Sequence, residues 1–310
     1  MKATFKKTIN GLLAAGECLL LWLLINTVAS IVILILGYLV CAIMGRPMPG
    51  LMEMIEHPWY LSFTLFVTDL LVLYVFWKMK YTRYSFNFGY TYGEGFSSKR
   101  IYQWAAVSAV GLLLFDLMAG FYLPIPDESE IMESLLRMMR NPVGFVSVCF
   151  IGPLAEEVIF RGAIERKLLE KKWNPWCAIV VSALIFAASH LNFAQGFTAT
   201  VIGVFMGWVY YRTRSIWPCV IIHVVNNTAA TLLTLASPET MASEDFEMPM
   251  SQGIPLLAVG ILIVIVAAYF IGELTKDRTP VPEPVAEVLP PSMTPLDTDT
   301  TLPSEDQPLA

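Results

Sequence analysis

An all-α, polytopic membrane bundle of about eight transmembrane helices is what three features of the 310-residue sequence predict. Hydrophobic residues make up 56% of it and charged ones only 15%, with a mean hydropathy of +0.60, well below the charged share of about 25% usual for soluble domains. Apolar runs recur almost without interruption from residue 11 to residue 272. Lys and Arg fall almost wholly on alternate sides of those runs, as they do when positive loops stay cytoplasmic. A water-soluble domain is excluded.

A spanning helix needs about 20 mostly apolar residues to cross ~30 Å of hydrocarbon. Eight segments qualify, at approximately 11–44, 58–78, 102–123, 143–169, 176–192, 195–212, 216–236 and 252–272. The first follows Lys2, Lys6 and Lys7, and its length exceeds the ~7–15-residue core of a cleavable signal, so a retained, tilted span is expected. With the N-terminus inside, 17 of the 20 Lys and Arg residues fall on the inner side, including Lys78, Lys80, Arg83, Lys99, Arg100, Arg212, Arg214, Lys276 and Arg278. The outer side keeps Arg46, Arg137 and Arg140 and is otherwise acidic, with Glu53, Glu56, Asp127, Glu128, Glu130, Glu133, Glu239, Glu244, Asp245 and Glu247. Miscounting one span would scramble this split, so both termini are expected to be cytoplasmic.

Residues 127–140 space Ile131, Leu135, Met138 and Met139 as on one helical face, which predicts a short amphipathic helix on the outer surface. Gly203 and Gly207 form a Gly-x-x-x-Gly face suited to close helix packing, and Trp59, Trp77, Trp104 and Trp217 sit near span ends as interface anchors. Residues 1–272 read as one integral membrane domain. From Thr279 onward eight prolines mix with Asp, Glu, Ser and Thr, so 273–310 is expected to be a disordered, Pro-rich, acidic cytoplasmic tail. That tail holds eight of the 26 acidic residues behind the net charge of −6; membrane lipids, and no nucleic acid, are the expected surroundings. Cys18, Cys41, Cys149, Cys177 and Cys219 all lie in apolar runs, without metal or disulfide spacing.

Ionisable side chains at bilayer depth cost ~2.5–3.5 kcal/mol each on insertion scales, so those that persist point to function. The fourth segment carries Glu156, Glu157 and Arg161. Glu157 and Arg161 are four residues apart and can pair, a structural ion pair that lowers the burial cost of both. Glu156 points about 100° away without that partner, free to take a proton from water as a general base. Of three histidines, His57 precedes a helix start, while His190 and His223 lie inside spans. Rise per residue places Glu156, His190 and His223 roughly 10–20 Å below the inner boundary, and Asn227 shares a face with His223 one turn on. One such histidine alone reads as an interhelical hydrogen bond; three titratable groups from three helices at one depth read as a site. Asp69, Asp116 and Glu17 are also embedded, but no second polar residue accompanies them at helical spacing.

These residues resemble, in order, the motifs of the CPBP family of intramembrane proteases, which includes the type II CAAX prenyl endopeptidases and proteins of bacteriocin processing and immunity. Glu-Glu-x-x-x-Arg is Glu156, Glu157 and Arg161; Phe-x-x-x-His is Phe186 and His190; His-x-x-x-Asn is His223 and Asn227. The resembling region covers about 130–236. The resemblance implies an eight-helix endopeptidase with a cytoplasm-facing cavity, acting on a membrane-associated peptide or lipidated protein, prenylated CAAX-type substrates included. It implies that Glu156, helped by His190, activates water, that His223 and Asn227 stabilise the oxyanion, and that Glu157 with Arg161 supports them. No cofactor is expected on that mechanism; the competing one has Glu156, His190 and His223 bind Zn²⁺, although no His-Glu-x-x-His is present. Two further readings stand beside the enzyme: a proton- or ion-coupled transporter, and a non-catalytic immunity or scaffold protein. A bacterial inner (plasma) membrane and an endoplasmic-reticulum membrane both suit a multi-pass chain of this kind.

Overall fold

The structure is a computed structural model and describes residues 2–79, 90–92, 97–122, 129–190, 193–236 and 248–280. The expected tail beyond residue 280 lies outside the described residues, as do Lys80, Arg83, Asp127, Glu128, Glu239, Glu244, Asp245 and Glu247 from the charge tally. Each of the eight apolar segments is helical over most of its described residues, in an integral, all-α membrane bundle. In chain order the helices are α1 (Lys2–Ile43), α2 (Leu51–Ile55), α3 (Pro58–Lys78), α4 (Ser98–Tyr122), α5 (Ser129–Met139), α6 (Pro142–Val146), α7 (Gly152–Ile159), α8 (Arg166–Glu170), α9 (Pro175–Ala188), α10 (Phe193–Thr213), α11 (Trp217–Ala236) and α12 (Met250–Leu274). Among the described residues six helical stretches are long and apolar enough to span: 6–43, 58–78, 98–122, 142–170, 217–236 and 250–274. The helix α9 has 14 residues, about 21 Å at 1.5 Å per residue, and so covers less than the hydrocarbon thickness. The helix α10 has 21 residues, enough in length, but its composition is more polar.

Local chemistry sets the helix starts. His57, Asn141 and Asn174 each stand just before a proline at the first helical turn, and each side chain accepts a backbone N–H from that turn, the usual N-cap geometry with proline inside it. The expected amphipathic helix is α5, with Met138 buried and Arg137 paired to Glu133 across one turn.

The fourth span is not one regular helix. Residues Ser147–Ile151 and Phe160–Glu165 are π-helical and bracket α7, which carries both glutamates. Pro153 supplies the reason for the first π-turn, because it has no N–H to offer the carbonyl one α-turn back. The Gly152 N–H bonds instead to Ser147 O, a five-residue step. Side chains serve the second: Ser182 Oγ donates to Phe160 O at 2.9 Å and Arg166 Nε to Gly162 O at 2.8 Å. Such π-turns are frequent at functional sites.

This interrupted helix is the centre of the bundle. Over half of its most apolar window is buried within the protein, against 6% for α1, and Val158, Ile159, Phe160, Ile164 and Leu168 are fully enclosed. The helices α9 and α10 pack through the predicted glycine face: a β-carbon at Gly203 would stand 3.2 Å from Ala183 Cβ, and one at Gly207 would stand 3.0 Å from Ile179 Cγ2. The helices α4 and α12 cross backbone to backbone, where a β-carbon at Gly111 would come within 2.6 Å of Gly260 O.

Two strands of three residues are the only strands among the described residues. Tyr90–Tyr92 (β1) pairs antiparallel with Arg278–Pro280 (β2), Thr91 opposite Thr279. The helix α12 runs through Glu273 to Leu274, and Thr275 and Arg278 beyond it are tied to the end of α10. Arg212 Nε donates to Thr275 Oγ1 at 2.9 Å and its Nη2 to Gly272 O at 2.8 Å. Arg278 donates to the Tyr211 and Arg212 carbonyls and lies 4.5 Å over the Tyr211 ring. Composition marked this stretch as polar; carbonyls at two helix ends, which attract cations, hold it in place.

Candidate active site

Four of the six predicted site residues form one continuous chain of contacts. Arg161 Nη1 donates to Glu157 Oε1 at 2.8 Å, and His223 Nδ1 lies 2.9 Å from the same oxygen. His223 Nε2, the opposite ring nitrogen, stands 3.5 Å from Glu156 Oε2. Because a carboxylate only accepts, the proton of this contact belongs to Nδ1, and Nε2 is the edge turned to Glu156. The sequence reading paired Glu157 with Arg161 alone. In the structure Glu157 is also the residue that orients His223, since α11 packs directly on α7.

The two glutamates are not equivalent. Glu157 is fully enclosed, whereas the Glu156 side chain keeps 32% of its exposure. Glu157 is thus placed to hold groups in position and Glu156 to meet a reactant. Arg161, 1% exposed, has its charge matched by Glu157, donates from Nη2 to Gly203 O at 3.2 Å, and lies 4.8 Å over the Phe186 ring. The missing side chain at Gly203 is what lets that carbonyl approach.

His190 and Asn227 enter less directly. His190 Nδ1 lies 3.1 Å from Phe186 O, a carbonyl that can only accept, so its Nε2 is again the free acceptor in the neutral ring. Its ring stands edge-on to Phe186 at 4.9 Å, and the His223 ring meets the same Phe186 edge-on at 5.7 Å. Phe186 therefore forms a common aromatic floor under Arg161 and both histidines, a part that the sequence reading assigned only as a motif position. Asn227 Nδ2 donates to Val148 O, at 3.1 Å, within the first π-turn. One of its two N–H groups is thus used by the backbone and one remains.

Asp69 was read as isolated; the structure places it against this site. It is buried on α3, its Oδ2 has no hydrogen-bond partner, and Glu156 is close enough to act on it electrostatically. Glu165, on the second π-turn, is likewise enclosed with both oxygens unpartnered and with Arg161 and Arg214 as charged neighbours. Neither had a signal beyond an acid within an apolar run, because their neighbours come from other helices or from another turn. Among the described residues no three His, Cys, Asp or Glu side chains come together as a ligand set for a metal ion.

Fold and site define a polytopic α-helical membrane protein with a glutamate–histidine centre enclosed in its bundle. Residues 139–229 match the family model described as type II CAAX prenyl endopeptidase, Rce1-like, and over that segment the chain is similar to this family. The match contains every motif residue from Glu156 to Asn227 and bears out the resemblance read from them. Among curated proteins, the chain is 27% identical over 144 residues to the putative membrane peptidase YdiL of Bacillus subtilis (strain 168), covering 41% of this chain and 59% of that protein. It is 30% identical over 153 residues to the membrane-embedded CAAX protease MroQ of Staphylococcus aureus (strain USA300), covering 47% and 58% respectively. The chain thus spans a little under three fifths of the length of the relatives it matches. No solved structure matches.

Proposed function

We propose that this protein is an intramembrane endopeptidase of the glutamate type, hydrolysing a peptide bond of a membrane-associated substrate from a cavity on the cytoplasmic side. The observation that carries the reading is the inequality of the two adjacent glutamates: one sealed and used to lock a histidine, the other open and facing that histidine's free edge. A base that must take a proton from water needs access and a neighbour that holds the water, and Glu156 has both. Glu156 removes the proton as the water oxygen attacks the carbonyl carbon, with His190 assisting from the same pocket. His223, held by Glu157 from behind, stabilises the oxyanion from its Nε2 edge beside the remaining Asn227 N–H. Glu156 then returns its proton to the leaving amine. Oxyanion donors in such an enclosed site are worth about 2.7–4 kcal/mol each by deletion elsewhere.

The substrate class that fits is a lipid-anchored or membrane-embedded peptide, prenylated CAAX-type sequences included, in keeping with the names of the family and of the S. aureus relative. Both relatives are bacterial, which favours a plasma membrane. The charge split favours cytoplasmic termini.

The test is cleavage of a quenched fluorescent lipopeptide by the protein in liposomes. The E156Q variant is expected to lose turnover by about 10²–10⁴-fold while remaining folded. Undiminished turnover removes Glu156 from the base role.

A further inference from the structure

The proposed reaction leaves one buried carboxyl at the site without a task. Asp69 sits mid-way along α3, 6% exposed, in an apolar setting where an ionisable side chain is costly. It lacks what makes such burial tolerable, for Oδ2 is sealed from solvent and has no hydrogen-bond partner. Among the described residues the charged group that acts on it is Glu156.

Its position is fixed from two sides. The helix α3 packs on α7 and on the first π-turn, and the point of closest approach is Gly152, where a β-carbon would lie 3.4 Å from Asp69 Oδ2 and 3.0 Å from Ser147 O. Gly152 and Glu156 are one helical turn apart and share a face. The π-turn that Pro153 forces turns this face to α3, and the glycine clears the space in front of it. Asp69 and Glu156 thus face each other across a position that has no side chain of its own. A buried polar atom without a protein partner is the ordinary mark of a bound water, and here the orphaned oxygen belongs to the neighbour of the accessible glutamate.

We propose that Asp69 is a positioning residue of this site, the second carboxyl between which the hydrolytic water is held. The water donates one hydrogen to Glu156, which takes it as the oxygen attacks the carbonyl, and the other to Asp69, which keeps the oxygen lone pair aimed at the substrate. Asp69 gains and loses nothing over the cycle. The other charged or titratable groups around Glu156 come from its own span, Glu157 and Arg161, and from α11, His223; none of them supplies an acceptor on the α3 side. The inference rests on the endopeptidase reading.

The experiment compares D69N, which keeps an acceptor oxygen in the same shape, with D69L, which fills the space without one. Both are assayed on the lipopeptide in liposomes beside E156Q and the parent, with kcat and KM separated and thermal unfolding measured for each. The expected result is a kcat for D69L lower by about ten- to hundredfold, the cost of misplacing a reactant by an ångström, at unchanged KM. D69N stays within about threefold of the parent on the same scale. Both variants unfold at or above the parent temperature, because an unpartnered buried carboxyl has been removed. A D69L kcat equal to the parent's overturns the proposal, as does a D69N kcat that falls as far as that of D69L. If D69L does not fold, D69A, which only removes atoms, carries the same expectation and the same refutation. Full turnover by E156Q defeats the endopeptidase base itself; an inactive E156Q beside a fully active D69L defeats the role of Asp69 alone.

Discussion

Exchanging Glu157 for glutamine, with the same change at Glu156 as its control, separates the two carboxylates by their consequences. At position 157 the substitution leaves the Arg161 guanidinium, 1% exposed, without a counter-charge 2.8 Å away. It also removes the acceptor that holds His223 Nδ1 at 2.9 Å. Removing one partner of an enclosed ion pair costs about 3–5 kcal/mol, and the secondary contact of Arg161 to the Gly203 carbonyl does not supply a replacement charge. At position 156 the side chain is a third exposed and makes no hydrogen bond within normal length to His223. E156Q is therefore expected to change stability by no more than about 0.5 kcal/mol while abolishing turnover. A thiol-reactive dye on detergent-solubilised protein reads the difference, since Cys18, Cys149 and Cys219 are fully enclosed and react only on unfolding, above the early signal of exposed Cys177. E157Q unfolding alongside the parent, or E156Q unfolding as early as E157Q, refutes the division of labour.

Three further outcomes are expected. R161K loses stability by about 1.5–3 kcal/mol in the same dye assay, because one ammonium cannot serve both Glu157 and the Gly203 carbonyl while stacking on Phe186 as the guanidinium does. G207A loses about 1–3 kcal/mol, since the new methyl would sit 2.8 Å from Glu165 Oε2 and 3.0 Å from Ile179 Cγ2; unchanged unfolding would show that α10 can slide away from α9. Treatment with a zinc chelator leaves lipopeptide turnover unaltered and elemental analysis finds less than stoichiometric metal; bound zinc whose removal ends turnover would replace the glutamate mechanism by a metal-assisted one.

The eight apolar segments were legible because membrane burial writes itself as length and composition, and Gly203 and Gly207 because helix contact needs small residues at a fixed interval. Glu157 and Arg161 were legible because their bond lies within one helix. The link from Glu157 to His223 was not, since periodicity gives the face on which a residue lies but not which distant helix meets it. For the same reason Asp69 looked solitary: its neighbour Glu156 is 87 positions later in the chain. The π-turns had one visible cause, Pro153 in mid-span, but a proline alone does not say whether a helix kinks, ends or widens. Thr275 and Arg278 were hidden in a polar composition, because the groups that hold them are backbone carbonyls, which every sequence contains.

The first helix, α1, runs for 42 residues, about 63 Å at 1.5 Å per residue. To lie wholly within ~30 Å of hydrocarbon it would have to lean by roughly 60°, beyond the 0–40° found for membrane helices. Part of it therefore stands proud of the acyl chains. Its fastenings run along its length: the Trp173 indole covers Gly11 near the start, Trp22 meets Phe160 edge-on and Ser30 O accepts from Tyr60 Oη in the middle, and Met54 and the Pro49 carbonyl meet Gly37 and Tyr38 near the end. On the opposite side Leu20, Leu24, Ile31 and Ile35 are left uncovered by the rest of the protein, so the surrounding bilayer shares with these contacts in setting the slope of this rod.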